Sequence, residues 1–303
     1  MLEINKVLIC GIGAIGSIYA NKINKYSPNN LRILVDKDRL EKYIKSPKIF
    51  NGKELKLNYI LPEVENYKAD LIIIATKYDG LADSIKNIKN FVKDDTIIIS
   101  LLNGINSEEI IAREYGKEHI LPAYFIGHSA MRKGNIISHD GVGVIVFGGN
   151  NYDVNLVKTY FDKVGIDYKI PDDIKRSMWL KFMLNVSSNQ TSAILNMTFG
   201  QMQQNVRYRK IIKNIMQEVL LVGKACGLSN TDNMIQEAFE SFDKMIPNGK
   251  TSMLQDVLSK RKTEVDMFAG TVIELGKKYN IPTPYNNILY EFIKIIESNY
   301  DNL

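Results

Sequence analysis

Along roughly the first 170 residues, short apolar runs rich in β-branched residues alternate with longer amphipathic stretches. The runs are Val7–Cys10, Leu31–Val35, Leu71–Thr76, Thr96–Ser100, Ile120–Ile126 and Val144–Phe147. LIIIAT and TIIIS are continuously apolar, the pattern of strands covered by helices on both faces. The rhythm predicts βαβ units and an α/β fold built on a doubly wound parallel sheet. The later runs NIISHDG and GVGVIVFGG, separated by turn residues, are expected to add an antiparallel edge.

After Pro171 the β-branched runs nearly vanish and apolar positions recur at spacings near 3.6. Helices are predicted over Ser177–Leu195, Val206–Cys226, Met234–Met245 and Thr263–Tyr279, with a last one near Asn286–Ser298 after Pro282 and Pro284. Cys226-Gly227 has the look of a helix stop. The expected organisation is an α/β domain over residues 1–170 and an all-helical domain over 171–303.

At 303 residues the chain has the length of about two domains. Its 39 Lys+Arg against 34 Asp+Glu leave a formal charge of +5, without a basic stripe. That favours small anionic ligands over nucleic acid. Cys10 and Cys226 offer neither a disulfide framework nor paired metal-ligand spacing, so no metal is expected. With no signal-peptide pattern and no run of 18 apolar residues, a cytoplasmic protein away from membranes is expected.

Gly11-Ile12-Gly13-Ala14-Ile15-Gly16 lies directly between the strand-like KVLIC and the amphipathic SIYANKINK. In that position GxGxxG is a dinucleotide fingerprint. Gly11 permits the tight turn, Gly13 lets backbone approach a pyrophosphate, and Gly16 lets helix pack on strand. Asp36 ends the second strand, 20 residues beyond Gly16, where a carboxylate can accept hydrogen bonds from the adenosine ribose. This favours NAD(H), although Lys37 and Arg39 stand close by, and a solvated turn residue is the plain alternative. Lys77 and Asn103-Gly104 follow buried strands at their carboxyl ends, where such sheets place ligands. Surface turn residues are the alternative there too.

In the helical half, Lys181, Asn185 and Asn189 recur at i, i+4 and i+8, a polar column on an otherwise apolar helix. A lysine in such a place is expected to have a pKa lowered by desolvation, which suits a proton donor. Thr251-Ser252-Met-Leu-Gln255-Asp256 and Thr263-Glu264 form a second polar set; taken alone, Ser252 reads as a helix cap and the rest as a charged surface. His119, His128 and His139 lack a nucleophile signature and read as structural. Neither a Walker nor an HExxH motif occurs.

Together, GIGAIG at 11–16, TK at 76–77, NG at 103–104, WLKFMLNVSSN at 179–189 and TSMLQDVLSKRKTEVD at 251–266 resemble the ketopantoate reductases (2-dehydropantoate 2-reductases) along the whole chain. The resemblance implies a Rossmann domain binding NADP(H) and a helical domain closing over a 2-oxo acid, in a monomer or homodimer. It implies Lys181 as catalytic residue, Glu264 as substrate-binding residue, and Asn185, Asn189 and Ser252 as substrate contacts. Asn103 and Lys77 match positions at the cofactor and the mouth of the site. Asp36 departs from the pattern, since the family usually has Arg there for the 2′-phosphate of NADP(H).

The implied chemistry is hydride transfer to the ketone of 2-dehydropantoate, with Lys181 protonating the developing alkoxide. Two rivals stay open. One is an NAD-dependent D-2-hydroxyacid dehydrogenase acting on branched or aromatic 2-oxo acids, favoured by Asp36 and disfavoured by Glu264. The other is a non-catalytic dinucleotide-binding sensor.

Overall fold

The computed structural model describes residues 3–127 and 131–300; His128 lies outside them. The chain divides into two compact units, Met1–Ile174 and Lys175–Leu303. The first contains, in order, β1 Val7–Cys10, α1 Ala14–Tyr26, β2 Leu31–Leu34, α2 Lys37–Lys45, β3 Ile49–Phe50, β4 Lys53–Glu54, β5 Tyr59–Ile60, β6 Leu71–Ile74, α3 Leu81–Asn87, β7 Ile97–Ser100 and α4 Ser107–Tyr115. It continues with β8 Ala123–Gly127, β9 Met131–Lys133, β10 Ile136–Ser138, β11 Gly143–Phe147, α5 Asn151–Val164 and β12 Tyr168–Lys169.

The central sheet has the order β5-β2-β1-β6-β7, and every pairing in it is parallel. Because side chains alternate across a strand, each isoleucine-rich run feeds two cores. Ile9, Ile33, Ile73 and Ile99 pack with Ile18 and Ile23 of α1 and Val157 and Phe161 of α5. Leu8, Leu34, Ile72 and Ile98 face the other side, against Leu81 of α3 and Ile111 of α4. The chain runs outward from β1 through β2 to β5, then returns to place β6 beside β1. Strand order reverses there, which opens a crevice beyond the carboxyl ends of β1 and β6.

The two later runs do not form an antiparallel edge on this sheet. Ile136–Ser138 belongs to a separate sheet, β4-β3-β10-β9, and Gly143–Phe147 to another, β12-β11-β8. Two local features divert the chain. Ile120 still bridges to Ile98, but Pro122 follows and cannot donate to a ladder, and the next strand starts at Ala123. Further on, Gly141 at φ +91° turns the chain between β10 and β11.

The second unit is helical: α6 Ile174–Leu195, α7 Phe199–Gln204, α8 Val206–Ala225, α9 Met234–Asp243, α10 Ser252–Leu258, a π-helical turn over Asp266–Gly270, α11 Thr271–Tyr279 and α12 Pro284–Ser298. Buried Glu218 of α8 accepts from the Tyr285 and Asn286 backbone N–H groups at 2.8 and 3.0 Å, satisfying donors at the start of α12. The helix expected over Thr263–Tyr279 begins only at Asp266, and it begins as the wide turn. The N–H of Thr263 goes to Glu297 Oε1 at 2.6 Å and that of Val265 to Thr263 Oγ1, so neither joins a helical ladder. Among the described residues, no helix is long and apolar enough to cross a membrane.

Candidate functional site

In the first unit, four predicted positions lie at the carboxyl edge of the parallel sheet: the glycine-rich turn after β1, Asp36 after β2, Lys77 after β6 and Asn103 after β7. Gly11 has φ +92°, and a Cβ there would come within 2.8–2.9 Å of Thr76 and the Ala75 carbonyl carbon. A Cβ on Gly16 would collide with the Gly11 carbonyl oxygen. Gly13 differs, because nothing lies within 4 Å of where its Cβ would be. It is the N-cap of α1 and has no side-chain cap, and the first turn carries no acidic residue. The turn therefore presents open space in front of a helix N-terminus, a cradle that fits an anionic pyrophosphate. Ile12 is buried, while Ala14 and Ile15 are half-buried in the first turns of α1.

Asp36 is more than a solvated turn residue, because it caps a helix. Its Oδ1 accepts from the Arg39 N–H at 2.7 Å as the N-cap of α2, and its Oδ2 lies 3.4 Å from the Arg39 guanidinium. Lys77 is exposed and caps the short turn Tyr78–Gly80; Asn103 is half-buried, followed by Gly104 at φ +95°. The turns beyond β6 and β7 are joined by the Asn106 amide donating to the Tyr78 hydroxyl at 3.3 Å. His119 Nδ1 is 2.8 Å from the Thr96 carbonyl, and His139 Nδ1 accepts from the Gly141 N–H at 3.2 Å.

In the second unit, Lys181 and Asn185 are half-buried on α6 and Asn189 is 6% exposed. Ser252 is not the cap that its sequence context suggests. Thr251 takes that role, its Oγ1 accepting from the Leu254 N–H at 3.2 Å. Ser252 is left as the first residue of α10, and its Oγ donates to Asn189 Oδ1 at 3.2 Å. Two predicted residues 63 positions apart thus meet. Beyond Asn185 the helix also buries Ser187, Ser188, Gln190 and Thr191, whose side chains hydrogen-bond carbonyls three or four residues back on the same helix.

Glu264 is half-buried just before the π-helical turn, and its carbonyl accepts from the Met267 and Phe268 N–H groups. Asp266, two residues on, accepts from the Tyr290 hydroxyl and the Lys294 ammonium, each at 2.8 Å. Burial would raise its carboxyl pKa, but those hydrogen bonds hold it net below the ordinary carboxylate range. On the other side, Arg261 Nε donates to buried Asp256 at 2.7 Å. In the sequence this frame shows only as the i, i+4, i+7 spacing of Tyr290, Lys294 and Glu297, a pattern equally common on a plain solvated helix face. Among the described residues, no three His, Cys, Asp or Glu are gathered as a metal site.

Residues 7–151 match the family profile described as "Ketopantoate reductase PanE/ApbA", and residues 173–297 match "Ketopantoate reductase PanE/ApbA C terminal". The chain belongs to the ketopantoate reductase family. A 2-dehydropantoate 2-reductase of Streptococcus pyogenes serotype M6 is 28% identical, over 96% of this chain and 98% of that protein. Among solved structures, D-mandelate dehydrogenase with NADH and anilino(oxo)acetate is 27% identical, with a TM-score of 0.85 over 98% of this chain and 99% of the other. The 2-dehydropantoate 2-reductase of Geobacter metallireducens shares the fold, at 23% identity and a TM-score of 0.82, over 96% of this chain and 99% of that one. Ketopantoate reductases are oxidoreductases, and the parallel sheet with a helical second half is the architecture of these neighbours.

Proposed function

We propose that this chain reduces the ketone of 2-dehydropantoate to give pantoate, using NAD(P)H, with Lys181 as proton donor. The observation that carries this reading is the Ser252–Asn189 hydrogen bond, which joins the two most specific motifs of the helical half in a chain of this family. In the first unit, the cradle at Gly11, Gly13 and Gly16 fits a dinucleotide. The N–H groups opening α1 would hold the pyrophosphate, Asp36 the ribose, and Lys77 and Asn103 the remaining edge. When bound, the nicotinamide supplies the hydride.

The rest of the chemistry falls to side chains of the second unit. Lys181 Nζ gives its proton to the carbonyl oxygen as negative charge develops on it. Asn185 and Asn189 orient the lysine and the substrate. Ser252 binds the substrate carboxylate, and Glu264 accepts a hydrogen bond from the substrate hydroxyl. An analogue lacking that hydroxyl forfeits this contact.

A second reading, an NAD-dependent D-2-hydroxyacid dehydrogenase, is favoured by the carboxylate at Asp36 and by the likeness to a D-mandelate dehydrogenase structure determined with NADH. Initial rates with ketopantoate, 2-ketoisovalerate and phenylglyoxylate, each with NADPH and NADH, separate the two. Ketopantoate should exceed 2-ketoisovalerate by about 10²-fold in kcat/KM. Equal values, or a preference for phenylglyoxylate, would favour the second reading. Dinucleotide binding without turnover of any of the three would overturn both.

A further inference from the structure

The segment that carries Glu264 is gripped on both sides by one face of a distant helix. Tyr290, Lys294 and Glu297 stand at i, i+4 and i+7 on α12, so they share a face. Glu297 Oε1 accepts the Thr263 N–H at 2.6 Å, one residue before Glu264. Tyr290 and Lys294 take the two oxygens of Asp266, two residues after it, at 2.8 Å each. Lys294 Nζ also lies 3.6 Å from Glu297 Oε2, which links the two grips. The Glu297 side chain is only 13% exposed and that of Lys294 31%.

We propose that Tyr290, Lys294 and Glu297 are positioning residues that fix Glu264 and thereby set how strongly the enzyme selects a hydroxylated 2-oxo acid. This rests on the reading of Glu264 as the acceptor of the substrate hydroxyl. The need for such a clamp follows from the local backbone. Residues 263–265 lie outside any regular helix, with the Thr263 and Val265 N–H groups bonded to side chains, and the turn that follows is π-helical rather than α-helical. π-turns occur frequently at functional sites, where they redirect side chains that regular geometry would aim elsewhere. A carboxylate displaced by about 1 Å from its hydroxyl partner loses much of what it contributes.

The test compares kcat/KM for ketopantoate and 2-ketoisovalerate in wild type, Glu264→Leu, Lys294→Met, Glu297→Met and Tyr290→Phe. Lys294→Met and Glu297→Met should each lower the ketopantoate to 2-ketoisovalerate ratio by about 10-fold, chiefly through the ketopantoate KM. Tyr290→Phe, which deletes one oxygen and keeps the ring, should lower it by about 3-fold, and Lys294→Arg should restore most of the ratio. In a Glu264→Leu background, Lys294→Met should change the ratio no further. A ratio equal in wild type and Glu264→Leu would overturn the reading of Glu264 and the clamp with it. A ratio lost in Glu264→Leu but kept in Lys294→Met, Glu297→Met and Tyr290→Phe would overturn the clamp alone.

Discussion

Gly13 and Gly16 lie in the same turn but answer to different constraints, and a methyl group placed on each tells them apart. At Gly13 the added carbon meets nothing within 4 Å, and the backbone, at φ −74° and ψ −153°, is extended with φ in the range of L residues. Alanine is a poorer N-cap than glycine by up to about 1 kcal/mol, while the stiffer unfolded chain returns about 0.4–1 kcal/mol. Gly13→Ala should therefore leave the Tm within a few degrees of wild type. The same methyl would occupy the space through which a pyrophosphate approaches the first N–H groups of α1. Weakening one hydrogen bond to a charged phosphate costs about 1.5–3 kcal/mol, or roughly 10- to 10²-fold in Kd. Titration of NADH and NADPH by nucleotide fluorescence, beside thermal unfolding, reads both quantities. Gly16→Ala supplies the contrast: its methyl collides with the Gly11 carbonyl, so Tm and affinity should fall together. Nucleotide Kd values unchanged in a well-folded Gly13→Ala protein would show that the open space in front of α1 is not where the dinucleotide binds.

Lys181→Ala should lower kcat by about 10²-fold or more while leaving nucleotide Kd unchanged; near-normal turnover at saturating substrate would remove Lys181 from proton donation. Asp36→Arg should shift the ratio of kcat/KM values toward NADPH, and dissociation constants unaltered for both nucleotides would leave Asp36 as a helix cap only. Lys48 is 2% exposed, and burial, with Arg132 and Lys42 nearby, pushes its ammonium pKa down to about 8. Between that value and the ordinary lysine range the unfolded chain binds more protons, so wild-type stability should rise with pH across pH 8–10. Lys48→Met should be more stable than wild type at pH 7, by about 1–3 kcal/mol, and should lack the rise; urea unfolding at a series of pH values checks both.

The parallel sheet was legible because a strand buried on both faces must be apolar throughout, and LIIIAT and TIIIS satisfy that condition unaided. The small sheets were not, since the partners of two- and three-residue strands such as Ile49–Phe50 and Ile136–Ser138 are chosen by tertiary placement. The polar column on α6 showed in the spacing of Lys181, Asn185 and Asn189, but its link to Ser252 did not. Thr251 and Ser252 are both competent caps, and nothing local decides between them. Choosing Thr251 frees the Ser252 hydroxyl for Asn189, an outcome fixed by how α10 lies against α6. The segment before the wide turn is tied to Glu297, 34 residues away, which accepts the Thr263 N–H, a pairing no local pattern shows.

The same distinction between local and assembled chemistry governs the charge at the end of β2. A rule that reads one side chain assigns NADH to a carboxylate at position 36. In the folded unit that carboxylate is not a lone negative charge. It caps α2 and lies 3.4 Å from the Arg39 guanidinium, so part of its repulsion toward a 2′-phosphate is already offset. Around Tyr43, on the same helix, the fields of Arg39 and Arg132 oppose that of Asp36, and the Lys48 ammonium lies 4.8 Å from the ring centre. Cations drawn from α2, from the segment before β3 and from β9 therefore share this field with Asp36 and with Asp38 and Glu41 of α2, and Arg132 among them is far from position 36 in sequence. Cofactor preference at such a place is a property of the summed field rather than of one residue. Arg39→Ala, which removes the partner of the Asp36 carboxylate, should therefore weaken NADPH binding more than NADH binding; equal changes in the two Kd values would show that this field does not reach the nucleotide.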